Sequence, residues 1–320
     1  MNEGLIMLDA DRKIQYMNQS CQDLFEVSGS KFIGQTISGF CDSIPMQEVV
    51  ESALKGNVHT AMQELDHKKV QYFGNPILEN QKIQGIIILV LDITERERTE
   101  RMRKEFSANV SHELKTPLMS ISGYAELMMN GMVPDEKVPE FSGRIYHEAS
   151  RLSALVADII QLSRLDEKNS DLPFELVDLY ELAEDIVLHL DSAASKKNIN
   201  VSLEGNAVTV QGVRHVIYEM LYNIADNAIR YTNQNGTVNI FTGTVNGHAF
   251  YRVEDNGIGI PENEQKRIFE RFYRVDKSHS RATGGTGLGL SIVKHGAILH
   301  NAEIKLESEP GKGTKMELVF

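Results

Sequence analysis

Two long segments in the middle of the chain repeat their apolar residues every three or four positions, and this pattern restricts the fold more than any other feature. The first segment carries the repeat at Met102, Phe106, Val110, Leu114, Leu118, Ile121, Ala125 and Met128. The second steps by four and three through Phe141, Ile145, Glu148, Leu152, Leu155, Ile159 and Leu162, a heptad pattern with one polar member. This spacing predicts two helices, each with one apolar stripe.

The two helices are expected to form a hairpin, because Gly131, Pro134 and Pro139 break the pattern between them. A hairpin of two helices has little of its own against which to bury two apolar stripes. Pairing of two chains into a four-helix bundle would bury them. The alternative is that the hairpin packs on neighbouring domains of the same chain.

Composition excludes several classes of partner and site. The 320 residues carry a formal net charge of −12, which argues against a broad nucleic-acid or anionic-membrane surface but leaves room for a local site for a small anion. Cys21 and Cys41 lie outside any C-x-x-C pattern, so neither a zinc site nor a disulfide framework is expected, and a reducing compartment fits.

The longest apolar run, IIILVL at 86–91, is too short to span a membrane and predicts a buried strand. The sequence shows no signal peptide.

The N-terminal part, residues 1–93, predicts a small α+β module. Its strand-like runs are GLIMLD, KIQYMN, VQYFGNPIL and IQGIIILVLDIT, with turn residues and shorter helical stretches between them. The charged segment that follows, residues 94–105, lacks turn residues and predicts a helical connector.

The C-terminal part, residues 172–320, predicts a separate α/β domain. Asp178 and Glu181 resemble a capping box at the start of a helix, and GVRHVIYEMLYNIADNAIRYT predicts a second, long helix. Asn246-Gly247 between alternating strands is a strong signal for a tight β-hairpin, and the last residues of the chain predict another hairpin.

Three motifs in this domain suggest a nucleotide site. DNGIGI at 255–260 follows a strand and offers a short acidic side chain beside glycines, over which a ring can lie close to the backbone. GGTGLGLSIVKHGAIL at 284–299 is a glycine turn that opens into a helix, whose N-terminal N–H groups favour an anion. Asn223 and Asn227 share one helix face and offer amide oxygens to a hard cation. Each motif alone is weak evidence, since glycine turns and polar helix faces are common, and neither a Walker loop nor G-x-G-x-x-G is present.

Taken together and in order, the motifs resemble those of bacterial sensor histidine kinases. NIADNAIRY, DNGIGI, IFERFYRVD and GTGLGLSIVK follow one another, and SHELKTPL lies upstream, so that the resemblance covers roughly residues 100–320. Residues 1–93 more loosely resemble a PAS sensory domain that closes with DIT. The implied fold class is multidomain α+β: a PAS-like sensor (1–93), a helical connector (94–105), a phosphotransfer hairpin that dimerises as a four-helix bundle (106–168) and an α/β-sandwich ATP-binding domain (172–320).

The resemblance implies ATP as the nucleotide and Mg²⁺ as the metal ion. Asp255 would recognise the adenine amine, and Asn227 would hold Mg²⁺ with Asn223 one turn behind. Phe269 and Phe272 would anchor a flexible lid of about residues 261–286. The complete set of implied ATP-binding residues is Asn223, Asn227, Arg230, Tyr231, Asp255, Gly257, Gly259, Ile260, Phe272, Arg274, Gly285, Thr286, Gly287, Leu288, Gly289, Leu290 and Thr314.

The phosphoacceptor that the resemblance implies is His112. It lies about 200° around the helix from Val110 of the apolar stripe, so we expect it to face solvent. Pro117 cannot donate to the carbonyl of Glu113 and is expected to bend or loosen the helix beside the histidine. Glu113 is placed to accept the imidazole N–H, which leaves the other nitrogen as a nucleophile. The alternative is an ordinary kinked helix with an exposed His-Glu pair.

A zinc-protease motif, H-E-x-x-H, is excluded because Thr116 occupies its fifth position. In the family this position is associated with removal of phosphate from the partner's aspartate, and Thr116 could orient the attacking water. The alternative is a threonine on the helix surface without such a role.

The resemblance further implies a homodimer and a cognate response regulator. It implies no nucleic-acid partner and no membrane segment in this chain, which would be cytoplasmic or the intracellular portion of a membrane-anchored receptor.

Two other classes of protein share the resemblance. ATPases of the same fold, such as DNA gyrase and the heat-shock ninety chaperones, carry a water-activating glutamate four residues before the Mg²⁺ asparagine. Here that position is Asn223, and an amide cannot act as the base, so phosphoryl transfer to His112 is favoured over hydrolysis. A sensor scaffold with a degenerate nucleotide site is disfavoured, because Asp255, Asn227 and both glycine motifs are intact.

Overall fold

The computed structural model describes five stretches of the chain, residues 3–28, 31–80, 82–166, 172–275 and 285–320. They form two compact units, Met1–Ala108 and Asn109–Phe320. Among the described residues, no helix combines the length and the apolar character that crossing a membrane requires. The multidomain α+β class is confirmed.

The first unit is built on a five-stranded antiparallel sheet with the spatial order β2-β1-β5-β4-β3. The strands are β1 Gly4–Asp9, β2 Ile14–Met17, β3 His59–Leu65, β4 Lys68–Glu79 and β5 Lys82–Asp92, and the helices are α1 Gln19–Phe25, α2 Ile37–Phe40 and α3 Ile44–Leu54. Ile88 and Val90 of β5 are buried in the core together with Val49 of α3. The sequence did not predict β3, since its HTAMQEL alternates weakly in polarity and lies at an edge of the sheet.

A single long helix, α4 (Thr94–Met129), follows β5 directly. Its start is tied to β4 by two contacts: the Thr94 hydroxyl accepts a hydrogen bond from the Lys69 backbone at 2.8 Å, and Lys69 Nζ lies 2.6 Å from Glu97 Oε2. The predicted connector is therefore the first part of α4 and not a separate helix. The helix continues past Pro117, which is the buried residue of α4 in the described structure.

The predicted hairpin is present. After α4 the chain turns through a short 3₁₀ segment, Asp135–Lys137, into α5 (Val138–Asp166). Near the turn, the rings of Tyr124 and Phe141 meet edge to face, with centroids 5.5 Å apart. The apolar stripe of α4 is only partly covered by the described residues. Met102 and Leu118 are 52% and 55% exposed, whereas the other large members are half-buried, namely Phe106, Val110, Leu114, Ile121 and Met128.

The C-terminal domain contains a second five-stranded sheet, in the order β11-β12-β10-β9-β7, and a small sheet of β6 and β8. Only the pair of β7 and β9 is parallel among the pairs of the larger sheet. The elements are β6 Glu175–Asp178, α6 Leu179–Lys196, β7 Asn200–Gly205, β8 Thr209–Gly212, α7 Arg214–Tyr231, β9 Thr237–Val245, β10 His248–Asp255, α8 Gly289–Leu299, β11 Glu303–Glu309 and β12 Gly313–Val319. Buried residues of the three helices, such as Ile186, Leu221 and Val293, share one core with Ile240 and Tyr251 of the sheet.

Local signals in this domain are borne out with one exception. Asn246 and Gly247 adopt positive φ angles of 52° and 85° and join β9 to β10, as an Asn-Gly hairpin requires. Asp178 caps α6, and its Oδ1 accepts from the backbone N–H of Tyr180 at 2.8 Å. The second half of the capping box does not form, because Glu181 pairs with Arg214 at 2.7 Å instead of reaching back to the helix start.

Candidate functional site

The C-terminal domain holds a cavity of about 950 Å³ bounded by α7, the end of β10, β12 and the turn before α8. Most of the nucleotide-binding residues predicted from the sequence line it: Asn223, Asn227, Arg230, Tyr231, Asp255, Gly259, Ile260, Arg274, Gly285, Thr286, Gly287, Gly289, Leu290 and Thr314. Three predicted residues are not part of the lining: Gly257, Phe272 and Leu288. The cavity also has a wall from the hairpin, formed by Ala154 and Asp158 of α5.

Asp255 ends β10 and is held by the backbone around it. Its Oδ1 accepts hydrogen bonds from the N–H groups of Gly257 at 2.8 Å and Thr314 at 3.2 Å. Both described donors act on the same oxygen, so Oδ2 is available to a ligand. Burial raises the pKa of Asp255, and the two backbone hydrogen bonds oppose that rise. A side chain at Gly257 would overlap the carbonyl oxygen of Tyr231, which explains why glycine is needed beside the aspartate.

Helix α7 turns a polar face to the cavity. Asn223 and Asn227 both line it, and Asn223 Nδ2 donates to the Glu219 carbonyl at 2.8 Å. Arg230 Nη2 lies 2.7 Å from Asp226 Oδ2 in an i,i+4 pair, and both residues line the cavity. Burial raises the pKa of Glu219, and the charge of Asp158 adds to that rise. The polar side chains of α7 therefore meet at one wall.

The donor set at this wall fits Mg²⁺ only if a ligand completes it. Within the described ranges, no group of three or more His, Cys, Asp or Glu side chains could hold a metal ion. Mg²⁺ is commonly bound through one or two protein oxygens, with water and phosphate oxygens as the other ligands. The amide oxygen of Asn227 suits that mode, in which the nucleotide itself brings most of the ligands.

The glycine turn, residues 285–289, leads into α8. Gly287 has a φ of 75°, and its carbonyl accepts from the Phe272 N–H at 2.9 Å. A Cβ on Gly289 would overlap Asn223 Oδ1, so the turn lies directly against α7. Backbone N–H groups at the start of α8 are consequently brought to the cavity, where a helix N-terminus favours an anion.

The predicted lid, about residues 261–286, is partly described, and its residues 276–284 lie outside the described ranges. Phe269 packs against the core of the C-terminal domain, as expected of an anchor. Arg274 is 11% exposed at its side chain and lines the cavity. Burial lowers its pKa, and the charge of Glu113 opposes that change. Among the described residues, Arg274 Nη2 has no hydrogen-bond partner, but it lies 3.5 Å from Glu113 Oε2 in an ion pair.

Helix α4 presents His112, the predicted phosphoacceptor, to solvent, as its position on the helix predicts. Glu113 takes other partners than the expected imidazole: its Oε2 lies 3.6 Å from Arg151 of α5 and 3.5 Å from Arg274. Thr116 is exposed, and its hydroxyl donates to the His112 carbonyl at 3.2 Å. The residue after the predicted phosphoacceptor thus touches an arginine of the cavity.

Sequence reasoning missed three charged residues of the cavity, Asp158, Lys197 and Asp226. Asp226 could have been found, because it stands four positions before Arg230 on a predicted helix. Lys197 follows α6, and its ammonium donates to three carbonyls at and just after the end of α7, with N–O distances of 2.6–3.2 Å. Asp158 accepts a hydrogen bond from Thr286, which is 128 residues further along the chain. No local pattern marks either of these two contacts.

Three family models match consecutive parts of the chain. They are a PAS fold at residues 1–98, a His Kinase A (phospho-acceptor) domain at 102–168, and a histidine kinase-, DNA gyrase B- and HSP90-like ATPase at 212–320.

Curated relatives are sensor kinases. The sensor protein kinase WalK of Staphylococcus aureus is 30% identical over 99% of this chain and 77% of the relative. In the Newman strain, WalK matches at 30% over 99% of this chain and 53% of its own length. SenX3, a sensor-like histidine kinase of Mycolicibacterium smegmatis, is 37% identical over 72% of this chain and 61% of SenX3. The chain spans about half the length of the first WalK relatives that it matches.

Solved structures with the same architecture are histidine kinases. ThkA, in a complex with the response regulator protein TrrA, covers 99% of this chain and 95% of its own at 24% identity and a TM-score of 0.55. Full-length ShkA in complex with AMPPNP is 26% identical, with a TM-score of 0.50 over 67% of this chain and 45% of ShkA.

Proposed function

The chain belongs to the bacterial sensor histidine kinases, and we propose that it phosphorylates His112 with ATP and passes the phosphoryl group to an aspartate of a response regulator. The observation that carries the proposal is the cavity in which Asp255, Asn227 and the glycine turn converge. A single ligand that filled it would meet a hydrogen-bond acceptor, a metal-binding amide and a helix N-terminus at once.

The two ends of the cavity suit the two ends of ATP. At the β10 end, Asp255 Oδ2 accepts from the exocyclic amine of adenine, and Thr314 closes the base pocket. At the α8 end, the N–H groups of the glycine turn and the guanidinium of Arg274 receive the phosphates. Asn227 holds Mg²⁺, which neutralises phosphate charge in such sites. The remaining predicted nucleotide-binding residues take the roles that the family resemblance gives them.

Phosphoryl transfer follows from the exposure of His112. One imidazole nitrogen of His112 attacks the γ-phosphorus, the bond from that phosphorus to the β,γ-bridging oxygen breaks, and ADP leaves with the electron pair. The aspartate of the regulator then takes the phosphoryl group from the histidine. For the first step Glu113 has to exchange Arg151 and Arg274 for the imidazole N–H, which also releases Arg274 towards the phosphates.

The assembly that we propose is a homodimer formed through the hairpin, because a second hairpin would cover the members of the α4 stripe that are exposed in one chain, such as Met102 and Leu118. The domains are those of the sequence prediction: a PAS-like sensor (1–93), a connector (94–105), the phosphotransfer hairpin (106–168) and the ATP-binding domain (172–320). The sensor biases the packing of the connector and so the balance of activities. Thr116 supports dephosphorylation of the regulator by orienting water. A regulator partner is in keeping with ThkA, which forms a complex with its regulator TrrA.

Incubation with γ-labelled ATP and Mg²⁺ tests the proposal. We expect an acid-labile, base-stable label on the wild-type protein and none on His112→Gln. His147→Gln, a second exposed histidine on the same hairpin, is the matched control and should be labelled like the wild type. A label that persists in His112→Gln would move the acceptor to another residue, and free phosphate without labelled protein would indicate an ATPase.

A further inference from the structure

The nucleotide cavity is not made by the ATP-binding domain alone. Helix α5 of the hairpin contributes Ala154 and Asp158 to its lining, and this wall carries a negative charge. No motif in the sequence marks Asp158, and the proposed transfer reaction assigns it no role. A carboxylate in a cavity that receives a triphosphate calls for an explanation, because like charges repel strongly where burial limits screening by water.

Asp158 makes a short contact with the glycine turn. Its Oδ2 accepts a hydrogen bond from the Thr286 hydroxyl at 2.6 Å, and the same hydroxyl accepts from the Leu288 N–H at 3.3 Å. Burial raises the pKa of Asp158, and the charge of Asp226 adds to that rise, while the Thr286 hydrogen bond and the charge of Arg230 oppose it. Asp158 therefore holds the Thr286 side chain of the glycine turn from the side of the hairpin.

We propose that Asp158 competes with the phosphates of the nucleotide for the glycine turn, so that docking of the turn on α5 and binding of the nucleotide weaken each other. This inference rests on the proposed function, since it concerns the same nucleotide site. Docked on α5, the turn already faces a carboxylate, and an incoming triphosphate meets a like charge beside its donors. Bound nucleotide correspondingly favours release of the turn from α5.

The coupling is reciprocal. If the Asp158 contact lowers nucleotide affinity by some factor, the nucleotide lowers the stability of the contact by the same factor. Release of the turn would free the ATP-binding domain from the hairpin at the moment when it carries a phosphoryl donor. Through Asp158, nucleotide occupancy thus regulates when the ATP-binding domain leaves α5.

The test is isothermal titration of the whole chain with Mg²⁺ and AMPPNP, with ADP, and with adenosine. Asp158→Asn keeps a hydrogen-bond acceptor of the same shape and removes the charge, whereas Asp158→Ala removes both. Asp191→Asn, an exposed residue of α6 that does not line the cavity, is the matched charge control.

We expect both Asp158 variants to bind AMPPNP about tenfold more tightly than the wild type, a difference of about 1.4 kcal/mol. The gain should be smaller for ADP and absent for adenosine, because only phosphates meet the charge. Asp191→Asn should bind all three ligands like the wild type.

Two results would overturn the inference while leaving the nucleotide site intact: an unchanged affinity of Asp158→Asn for AMPPNP, or an equal gain for adenosine. Weaker binding by Asp158→Ala would also overturn it, since that outcome means that the contact orders the turn for the nucleotide. If the wild type and every variant bound neither AMPPNP nor adenosine, the proposed function would fail, and this inference with it.

Discussion

Replacement of Asp255 separates two roles of this side chain: its observed hydrogen bonds to the backbone and its proposed recognition of adenine. In Asp255→Ala the N–H groups of Gly257 and Thr314 lose their common acceptor. A buried donor without a partner costs about 1–3 kcal/mol, and water reaches this partly buried site, so we expect a loss of roughly 2 kcal/mol in the free energy of unfolding. Asp255→Asn keeps an acceptor oxygen and should lose less than about 1 kcal/mol.

Nucleotide binding, unlike stability, should suffer equally in Asp255→Ala and Asp255→Asn. A hydrogen bond to a charged partner contributes about 1.5–3 kcal/mol, so loss of the carboxylate should weaken Mg²⁺-ADP binding roughly 10- to 100-fold in either variant. Asp255→Asn should then unfold with nearly the same free energy as the wild type but bind ADP more weakly. Calorimetric unfolding, read at the transition that shifts with ADP, and titration with ADP measure the two effects separately.

The pH dependence supplies a further check on Asp255. Because burial raises its pKa in the folded state, the native protein holds this proton more tightly than the unfolded chain. The contribution of Asp255 to the free energy of unfolding therefore falls as the pH rises from its ordinary value of 3.8 through the raised pKa. Asp255→Asn lacks this dependence, so the wild type should lose stability relative to the variant over that interval.

Two results would refute this account of Asp255. One is an Asn variant that binds ADP like the wild type, which would place the adenine elsewhere. The other is an Ala variant as stable as the wild type, which would mean that the two backbone donors find other acceptors. Asp191→Asn, exposed and outside the cavity, controls for the loss of one charge.

Two further substitutions probe the walls of the cavity. In Gly289→Ala the new Cβ displaces the Asn223 side chain. We expect titrations to show about tenfold weaker binding of Mg²⁺-AMPPNP and unchanged binding of adenosine. An AMPPNP affinity equal to that of the wild type would contradict the close packing of the turn on α7. In Lys197→Met the carbonyls of Ile229, Arg230 and Thr232, at and just after the end of α7, each lose a hydrogen bond. We expect a loss of about 1–2 kcal/mol in the free energy of unfolding, measured as a fall of a few degrees in the melting temperature of the ADP-sensitive transition. An unchanged melting temperature would show that water replaces the ammonium as the hydrogen-bond donor. The control is Lys196→Met, because Lys196 is exposed on the last turn of α6.

The sequence by itself determined the features that depend on near neighbours. Repeats of three and four positions predict α4 and α5, because a helix brings such residues onto one side whatever the tertiary contacts are. Asn246-Gly247 specified its hairpin, since its backbone needs two positive φ angles. The motifs around Asn227, Asp255 and Gly287 likewise identified residues that meet at one cavity.

The tertiary structure alone decided which partner each charged side chain takes. Glu113 had an imidazole beside it and Glu181 had a helix start, yet both pair with arginines from other parts of the chain. The Asp158–Thr286 contact joins residues 128 positions apart. Local spacing fixes which groups share a helix face, but several partners of similar energy lie within reach of a long side chain. Packing between distant elements selects among them, because it sets which groups are withdrawn from water together.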